Sequence, residues 1–142
     1  MKLSEKYVEL LVFLLFVLIS LLCIIIIILP TEMQETLKAR SDHWNPIASF
    51  ISIFVHANFE HLSGNILSFL SFGFLVYMIN QKSNRKAFLT SLLLIVLFLP
   101  LIHGFLLTIL LSSRTIVSCG LSIVVAGVIG LIVPSLCVFL RN

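Results

Sequence analysis

The sequence predicts an all-α membrane protein, a polytopic bundle of four transmembrane helices with a membrane-embedded outer loop. The chain has 142 residues, of which 60% are hydrophobic and 11% are charged, whereas soluble domains average about 45–50% apolar and about 25% charged residues. Its mean hydropathy is +1.20. A water-soluble chain of this size could not bury so much apolar surface, so we expect residues 1–142 to form a single transmembrane domain.

The first half of the chain contains two predicted spans. Residues 10–29 form the first, since about 20 apolar residues cross the hydrocarbon core. This run is too long for a signal-peptide core and no small-residue cleavage site follows it, so we expect a retained span. A polar stretch follows at 31–45. The apolar run 46–79 is too long for one crossing, and dividing it at the histidines of HANFEHLSGN gives an interfacial segment at 46–55 and a second span at 59–79.

The second half contains two more predicted spans. The basic segment NQKSNRK forms a short turn at 80–86, and residues 87–111 form the third span. Pro100 should bend this span where neighbouring groups satisfy the freed carbonyl. Arg114 marks a tight outer turn, and residues 115–140 form the fourth span. Internal repeats and low-complexity linkers are absent from the sequence.

Positive residues predict the orientation of the bundle. With the N-terminus inside, six Lys or Arg residues lie on the cytoplasmic side and three lie outside. We therefore expect a multi-pass protein of the cell membrane with both termini in the cytoplasm. The inner six are Lys2, Lys6, Lys82, Arg85, Lys86 and Arg141, and the outer three are Lys38, Arg40 and Arg114. Because these charges stand at the ends of apolar runs, the net charge of +3 does not indicate a nucleic-acid partner.

Neither cysteine nor histidine spacing indicates a cofactor or metal. Cys23, Cys119 and Cys137 all lie within apolar runs, and an odd number of buried thiols is not a disulfide framework. His56 and His61 are five residues apart, so on one helix they diverge by about 140°, unlike the i, i+4 pair of a zinc helix. We expect no cofactor and no metal.

Small and polar residues lie on one side of the second and fourth spans. In the second span they fall within an arc of about 120° and comprise His61, Gly64, Asn65, Ser68 and Ser71. In the fourth they occupy one half of the helix and comprise Cys119, Gly120, Ser122, Ala126, Gly127, Gly130 and Pro134. Because small residues allow helices to approach closely in membranes, these two faces should pack together inside the bundle.

Three polar side chains should share one level in the outer half of the membrane. Ser122 lies about 12 Å along a helix from Arg114, and His61 and Asn65 lie near the outer start of the second span. A hydroxyl facing an imidazole and a carboxamide is the arrangement used in acyl transfer, with a nucleophile beside donors for an oxyanion. The alternatives are a serine bonded to its own helix and a histidine and asparagine that only join helices.

At these residues the sequence resembles the rhomboid family of intramembrane serine proteases. His56, His61 and Asn65 reproduce the His-x4-His-x3-Asn pattern of the family's second core helix. Residues 120–122 read Gly-Leu-Ser, and a further glycine follows at 130, as in its fourth core helix. The resemblance implies that Ser122 is the nucleophile. It further implies that His61, Asn65 and the Ser122 backbone N–H support the oxyanion, and that His56 shapes an outer, water-accessible cavity.

The chain departs from the family pattern at three places. The family's general base is a histidine on a sixth helix, whereas this chain ends at Asn142 after four spans, so we expect a chain shortened by truncation or annotation. His103 is the candidate base within the chain, and the alternative is a packing histidine. Ile123 replaces a glycine and should push away a neighbouring helix. Asn45 follows Trp44 where the family often has arginine, and His43 should be solvated or interfacial.

These observations support three hypotheses. The first is a rhomboid-like serine endopeptidase, a hydrolase that cleaves transmembrane helices of membrane proteins. The second is a catalytically inactive rhomboid-like protein that binds transmembrane clients. The third is a helical channel or transporter component whose polar stripe lines a water path. The expected partners are the lipid bilayer and the transmembrane helices of substrates or clients.

Overall fold

The computed structural model describes residues 5–80 and 84–140 and consists mainly of helices. These are α1 (Glu5–Ile27), α2 (Thr31–Thr36), α3 (Pro46–Ile51) with a 3₁₀ turn at Ser52–Phe54, α4 (Phe59–Ile79), α5 (Arg85–Leu111), α6 (Ser122–Gly130) and α7 (Ile132–Phe139). In the described chain, four helical segments are long and apolar enough to cross a membrane, the last formed by α6 and α7 together. The predicted all-α, four-span membrane bundle is confirmed.

The helical part of the fourth span begins with α6 at Ser122, whereas the predicted span began at residue 115. The preceding residues are extended because they pair with the outer loop. Strand β1 (Ala39–Arg40) runs antiparallel to strand β2 (Val117–Ser118). The Ser41 hydroxyl donates to the Arg114 carbonyl and accepts from the Ile116 N–H at 2.9 Å. These bonds satisfy backbone groups that a helix would otherwise satisfy.

The core lies where α1, α4, α5 and α6 meet, and α6 packs against both α4 and α5. Phe16 and Phe69 contact each other edge to face, with ring centroids 5.1 Å apart. The Phe16 ring also occupies the space beside Gly73, where a Cβ would lie 2.6 Å from its Cζ. Gly73 therefore allows the Phe16 ring of α1 to pack directly against the backbone of α4.

The prediction that two small-residue faces pack together is wrong for most of their residues, although Gly120 does contact His61 and Asn65. The buried residues of α6 are Val124, Val125 and Val128, whereas Ser122, Ala126 and Gly130 are exposed, as are Gly64 and Ser71 on α4. Lipid tails are as apolar as leucine, so hydrophobicity does not distinguish the inner from the outer face of a span. The larger side chains fill the interior to the density that packing requires.

The outer loop is attached to α5 through α3. A Cβ on Gly104 would lie 2.6 Å from the Ser49 Cβ, so α3 contacts the backbone of α5 directly. The Trp44 and Phe105 rings meet edge to face at 5.5 Å. The Asn45 side chain caps α3 by accepting from two backbone N–H groups, at 2.9 and 3.1 Å. The asparagine that follows Trp44 is therefore a helix cap.

The opposite end of the bundle contains an ion pair between Glu9 of α1 and Arg85 of α5. The Arg85 guanidinium also lies 4.5 Å from the centroid of the Tyr77 ring. Nearby, the Asn80 amide donates to the Ser135 hydroxyl at 2.9 Å and so joins α4 to α7. Three of the charges used to predict orientation, Lys2, Lys82 and Arg141, fall outside the described residues.

Candidate active site

The candidate site is built around the turn that leads from β2 into α6. Gly120 has φ of +105°, a conformation that residues with a side chain rarely adopt. Its N–H donates to the Ser52 carbonyl at 2.9 Å. The left-handed residue redirects the chain from the strand into the helix and positions Ser122 as the first residue of α6.

His61 and Asn65 lie directly against this turn. A Cβ built on Gly120 would lie 2.9 Å from His61 Cε1 and 3.4 Å from Asn65 Nδ2. Any side chain at position 120 would therefore displace the imidazole. The structure brings these two predicted site residues together at a backbone segment two positions before Ser122.

The Asn65 amide is buried but unpaired. Its side chain is 9% exposed, and among the described residues its Nδ2 has no hydrogen-bond partner. Buried polar groups are nearly always paired, and an unpaired donor costs about 1–3 kcal/mol. The two N–H groups of this amide therefore lie beside Gly120 without an acceptor among the described residues.

His56 is hydrogen-bonded to the same turn. It is 1% exposed, and its Nε2 accepts from the Leu121 N–H at 3.4 Å. Its Nδ1 lies 3.2 Å from the Phe54 carbonyl, so Nδ1 carries the proton and the ring is neutral. Burial lowers the pKa of His56; the Phe54 carbonyl opposes this shift, and the nearby His61 adds to it. The ring also lines an outer cavity of about 390 Å³.

Ser122 and His103 line one cavity of about 190 Å³ between the outer loop, α5 and α6. Ser122 is exposed and His103 is half-buried. The His103 Nε2 lies 2.9 Å from Ser118 Oγ, so its hydrogen bond goes to the strand and not to Ser122. The remaining lining residues are Ser49, Ser52, Ile53, Pro100, Ser118, Gly120, Ile123 and Ala126.

Ser118 was not among the predicted site residues. The residue contacts His103 because β1 and β2 pair, and a strand of two residues has no periodicity that a sequence could reveal. Ile123 lines the cavity and packs against the core from its edge. His43 is exposed. In residues 5–80 and 84–140, no three His, Cys, Asp or Glu side chains cluster as a metal site would require.

By its fold and candidate site, the chain is a polytopic helical membrane protein. A serine and several histidines lie at one end of its helix bundle. The Rhomboid domain matches residues 42–139, from the segment before α3 to the end of α7. The chain belongs to the rhomboid family, the family of intramembrane proteases, and is an integral membrane protein in contact with lipid. No curated protein and no solved structure matched the chain.

Proposed function

We propose that the chain is a rhomboid-like intramembrane serine endopeptidase that cleaves transmembrane helices, with Ser122 as its nucleophile. The observation that carries this proposal is the buried, unpaired Asn65 amide beside Gly120. Oxyanion sites are built from donors that are fixed before the reaction and have no other partner. The Asn65 amide lies against the turn that precedes Ser122 and has no partner among the described residues, which supports this role.

The proposed reaction begins with attack of Ser122 Oγ on the carbonyl carbon of the scissile peptide bond. The Ser122 backbone N–H belongs to the first turn of α6, where N–H groups lack helical acceptors. This N–H, the Asn65 amide and the His61 imidazole would stabilise the oxyanion. The positive end of the α6 dipole favours the same charge.

His103 is the proposed general base because it lines the cavity that contains Ser122. It would accept the Ser122 hydroxyl proton and transfer it to the leaving amine, which leaves an acyl-enzyme. Water would then attack the acyl carbon, restore the serine and release the new carboxyl end. His56 would hold the Leu121 N–H, and with it the turn, in the reactive geometry.

The exposed face of α6 is the proposed docking surface for a substrate helix. Ser122, Ala126 and Gly130 follow one another at four-residue spacing on this face and all are exposed. A Cβ on Gly130 would meet nothing within 4 Å, so another backbone can approach closely. We propose the cell membrane as the location, with the N-terminus in the cytoplasm and Ser122 in the outer half of the bilayer.

The test uses the full chain in proteoliposomes with fluorescently labelled casein as the protease probe. The wild type should cleave casein, and a fluorophosphonate should form an adduct on Ser122. Ser122→Ala should abolish both signals, whereas Ser113→Ala, which removes an exposed hydroxyl of the outer turn, should not. Casein cleavage that persists in Ser122→Ala would overturn the proposal.

One observation favours a second function, the binding of transmembrane clients without cleavage. The His103 imidazole is hydrogen-bonded to Ser118, and this bond takes it away from Ser122. A client-binding protein would need the open face of α6 but no activated serine. In that case Ser122→Ala would leave capture of a labelled single-span helix unchanged, and Gly130→Leu would weaken it by filling the open space.

A further inference from the structure

Ser118 and His103 form a hydroxyl–imidazole pair. The proposed protease reaction uses His103 as its base and gives no role to Ser118. In residues 5–80 and 84–140, Ser118 is the serine whose hydroxyl lies within hydrogen-bond distance of an imidazole, at 2.9 Å. In the tautomer with an unprotonated Nε2, the Ser118 hydroxyl donates to that nitrogen. This is the distance at which a nucleophile and its general base operate.

Both partners of the pair are fixed by separate elements. Ser118 lies in β2, where its backbone pairs with Ala39 of β1. His103 lies inside α5, one turn after Pro100. Since each backbone is held by regular structure, the hydrogen bond does not depend on a mobile loop. A reactive pair requires this kind of fixed geometry.

The surroundings of the pair indicate which substrates it could accept. It opens on the cavity of about 190 Å³, which has room for a short acyl group. The Ser52 hydroxyl donates to the Ser49 carbonyl and the Ser49 hydroxyl donates to the Asn45 carbonyl, so neither is free to stabilise an oxyanion. The pair therefore suits activated esters, whose leaving groups depart with little help.

We propose that Ser118 and His103 form a second nucleophilic site that hydrolyses small activated esters. The Ser118 hydroxyl proton passes to His103 Nε2 as Oγ bonds to the ester carbonyl carbon. The carbon–oxygen bond to the leaving alcohol then breaks, and the alcohol takes the proton from Nε2. Water attacks the acyl-serine, Nε2 takes a proton from it, and a carboxylic acid leaves as the Ser118 hydroxyl is restored.

The experiment treats the full chain in detergent with p-nitrophenyl acetate, follows release of nitrophenol and locates the acetyl group by fragmentation mass spectrometry. The wild type should be acetylated on Ser118. Ser118→Ala should lose this adduct, and His103→Gln should form it about a hundred-fold more slowly. The matched controls are Ser113→Ala and His43→Gln, which change exposed residues of the outer turn and loop and should react like the wild type.

One further variant and the site of acetylation decide between the possible outcomes. Ser118→Thr retains a hydroxyl and suits a strand, so it should still be acetylated if Ser118→Ala fails to fold. Acetylation of wild-type Ser122 with Ser118 unmodified, or no acetyl adduct at all, would overturn this inference. Acetylation of Ser118 in a wild type that does not cleave casein would support it and count against the proposed protease instead.

Discussion

At the residue scale, the turn at 118–122 brings together groups from four parts of the chain. Gly120 accepts the close approach of His61 and Asn65 because it has no side chain. The His56 Nε2 accepts a hydrogen bond from the Leu121 N–H, and the Ser118 hydroxyl is hydrogen-bonded to the His103 imidazole. Within this cluster, the unpaired Asn65 amide is the feature that folding alone does not explain, because a buried donor without an acceptor reduces stability.

Asn65→Leu should separate a catalytic role of the amide from a structural one. Leucine has the same branched shape and the same number of side-chain heavy atoms, and the Asn65 Nδ2 has no hydrogen bond among the described residues to lose. We expect casein cleavage to fall by about 10²–10³-fold, as for loss of one oxyanion donor. The midpoint of thermal unfolding in detergent should stay unchanged or rise.

Asn80→Leu provides the matched control for this prediction. The Asn80 amide donates to the Val76 carbonyl at 2.8 Å and to the Ser135 hydroxyl at 2.9 Å. Its loss should lower the free energy of unfolding by about 1–3 kcal/mol. If Asn65→Leu were destabilised to the same extent, or cleaved casein at the wild-type rate, the oxyanion role of Asn65 would be refuted.

Because of His56, the free energy of unfolding of the protein should decrease as the pH is lowered. Its pKa in the folded chain lies below its ordinary value of 6.5, because burial disfavours the charged ring. Between these two pKa values the unfolded chain binds a proton that the folded chain does not, so stability falls as pH drops below about 6.5. Thermal unfolding measured from about pH 7.5 to about pH 5 should show the decline.

His56→Gln should make this decline shallower, because the side chain no longer titrates. His43→Gln is the control, since it removes an exposed histidine of the outer loop and keeps His56, so the decline should persist. An equally steep decline in wild type and His56→Gln would mean that another group is responsible.

At the element scale, close approaches at glycines determine how the helices and the outer loop fit together. Gly73 admits the Phe16 ring between α1 and α4, and Gly104 admits Ser49 between α3 and α5. The second contact matters for function because α3 and the following 3₁₀ turn form one wall of the cavity that contains Ser122 and His103.

Gly104→Ala should loosen the outer loop. The added Cβ would lie 2.6 Å from the Ser49 Cβ, which is too close for any real contact, so α3 must shift. We expect a loss of about 1–3 kcal/mol in the free energy of unfolding, measured by denaturation in mixed micelles. Casein cleavage should fall as the cavity wall moves.

Two companion variants test the cause. Ser49→Gly in the Gly104→Ala background removes the clashing atoms and should restore part of the stability. Gly130→Ala adds a Cβ that meets nothing within 4 Å, so it should be neutral or slightly stabilising. Equal losses for Gly104→Ala and Gly130→Ala would show that the Ser49 contact is not the reason.

At the scale of the whole molecule, the two ends of the bundle differ in structure and in charge. One end carries the outer loop, the short β pairing and the cluster of histidines and serines. The other carries the Glu9–Arg85 ion pair and the Asn80–Ser135 hydrogen bond. The excess of positive residues at the second end predicts that it faces the cytoplasm.

Cysteine labelling should test this orientation. In a background with Cys23, Cys119 and Cys137 replaced by alanine, we expect a membrane-impermeant maleimide to label Ser113→Cys in intact cells. Lys86→Cys should react only after lysis, because the basic turn is retained on the inner side. Both positions are exposed in the structure. The reverse pattern would contradict the proposed topology.

The site was only partly predictable from the sequence. The spacing of His61 and Asn65 predicted that both lie on one face of one helix and face Ser122. Both lie against Gly120, and neither lines the cavity that contains Ser122. The contact between His103 and Ser118 was not predictable, because it joins α5 to a strand whose position depends on pairing with β1. Such contacts depend on tertiary structure and leave no local periodicity.

The sequence by itself determined that this is a four-span helical membrane protein, because crossing a bilayer requires long apolar segments with internally satisfied backbones. It also contained the motifs of the rhomboid family. Only the tertiary structure decided that valines and not the small residues of α6 face the interior. The reason is that lipid and protein interior are similarly apolar, so the inner face of a span is chosen by how side chains fit together.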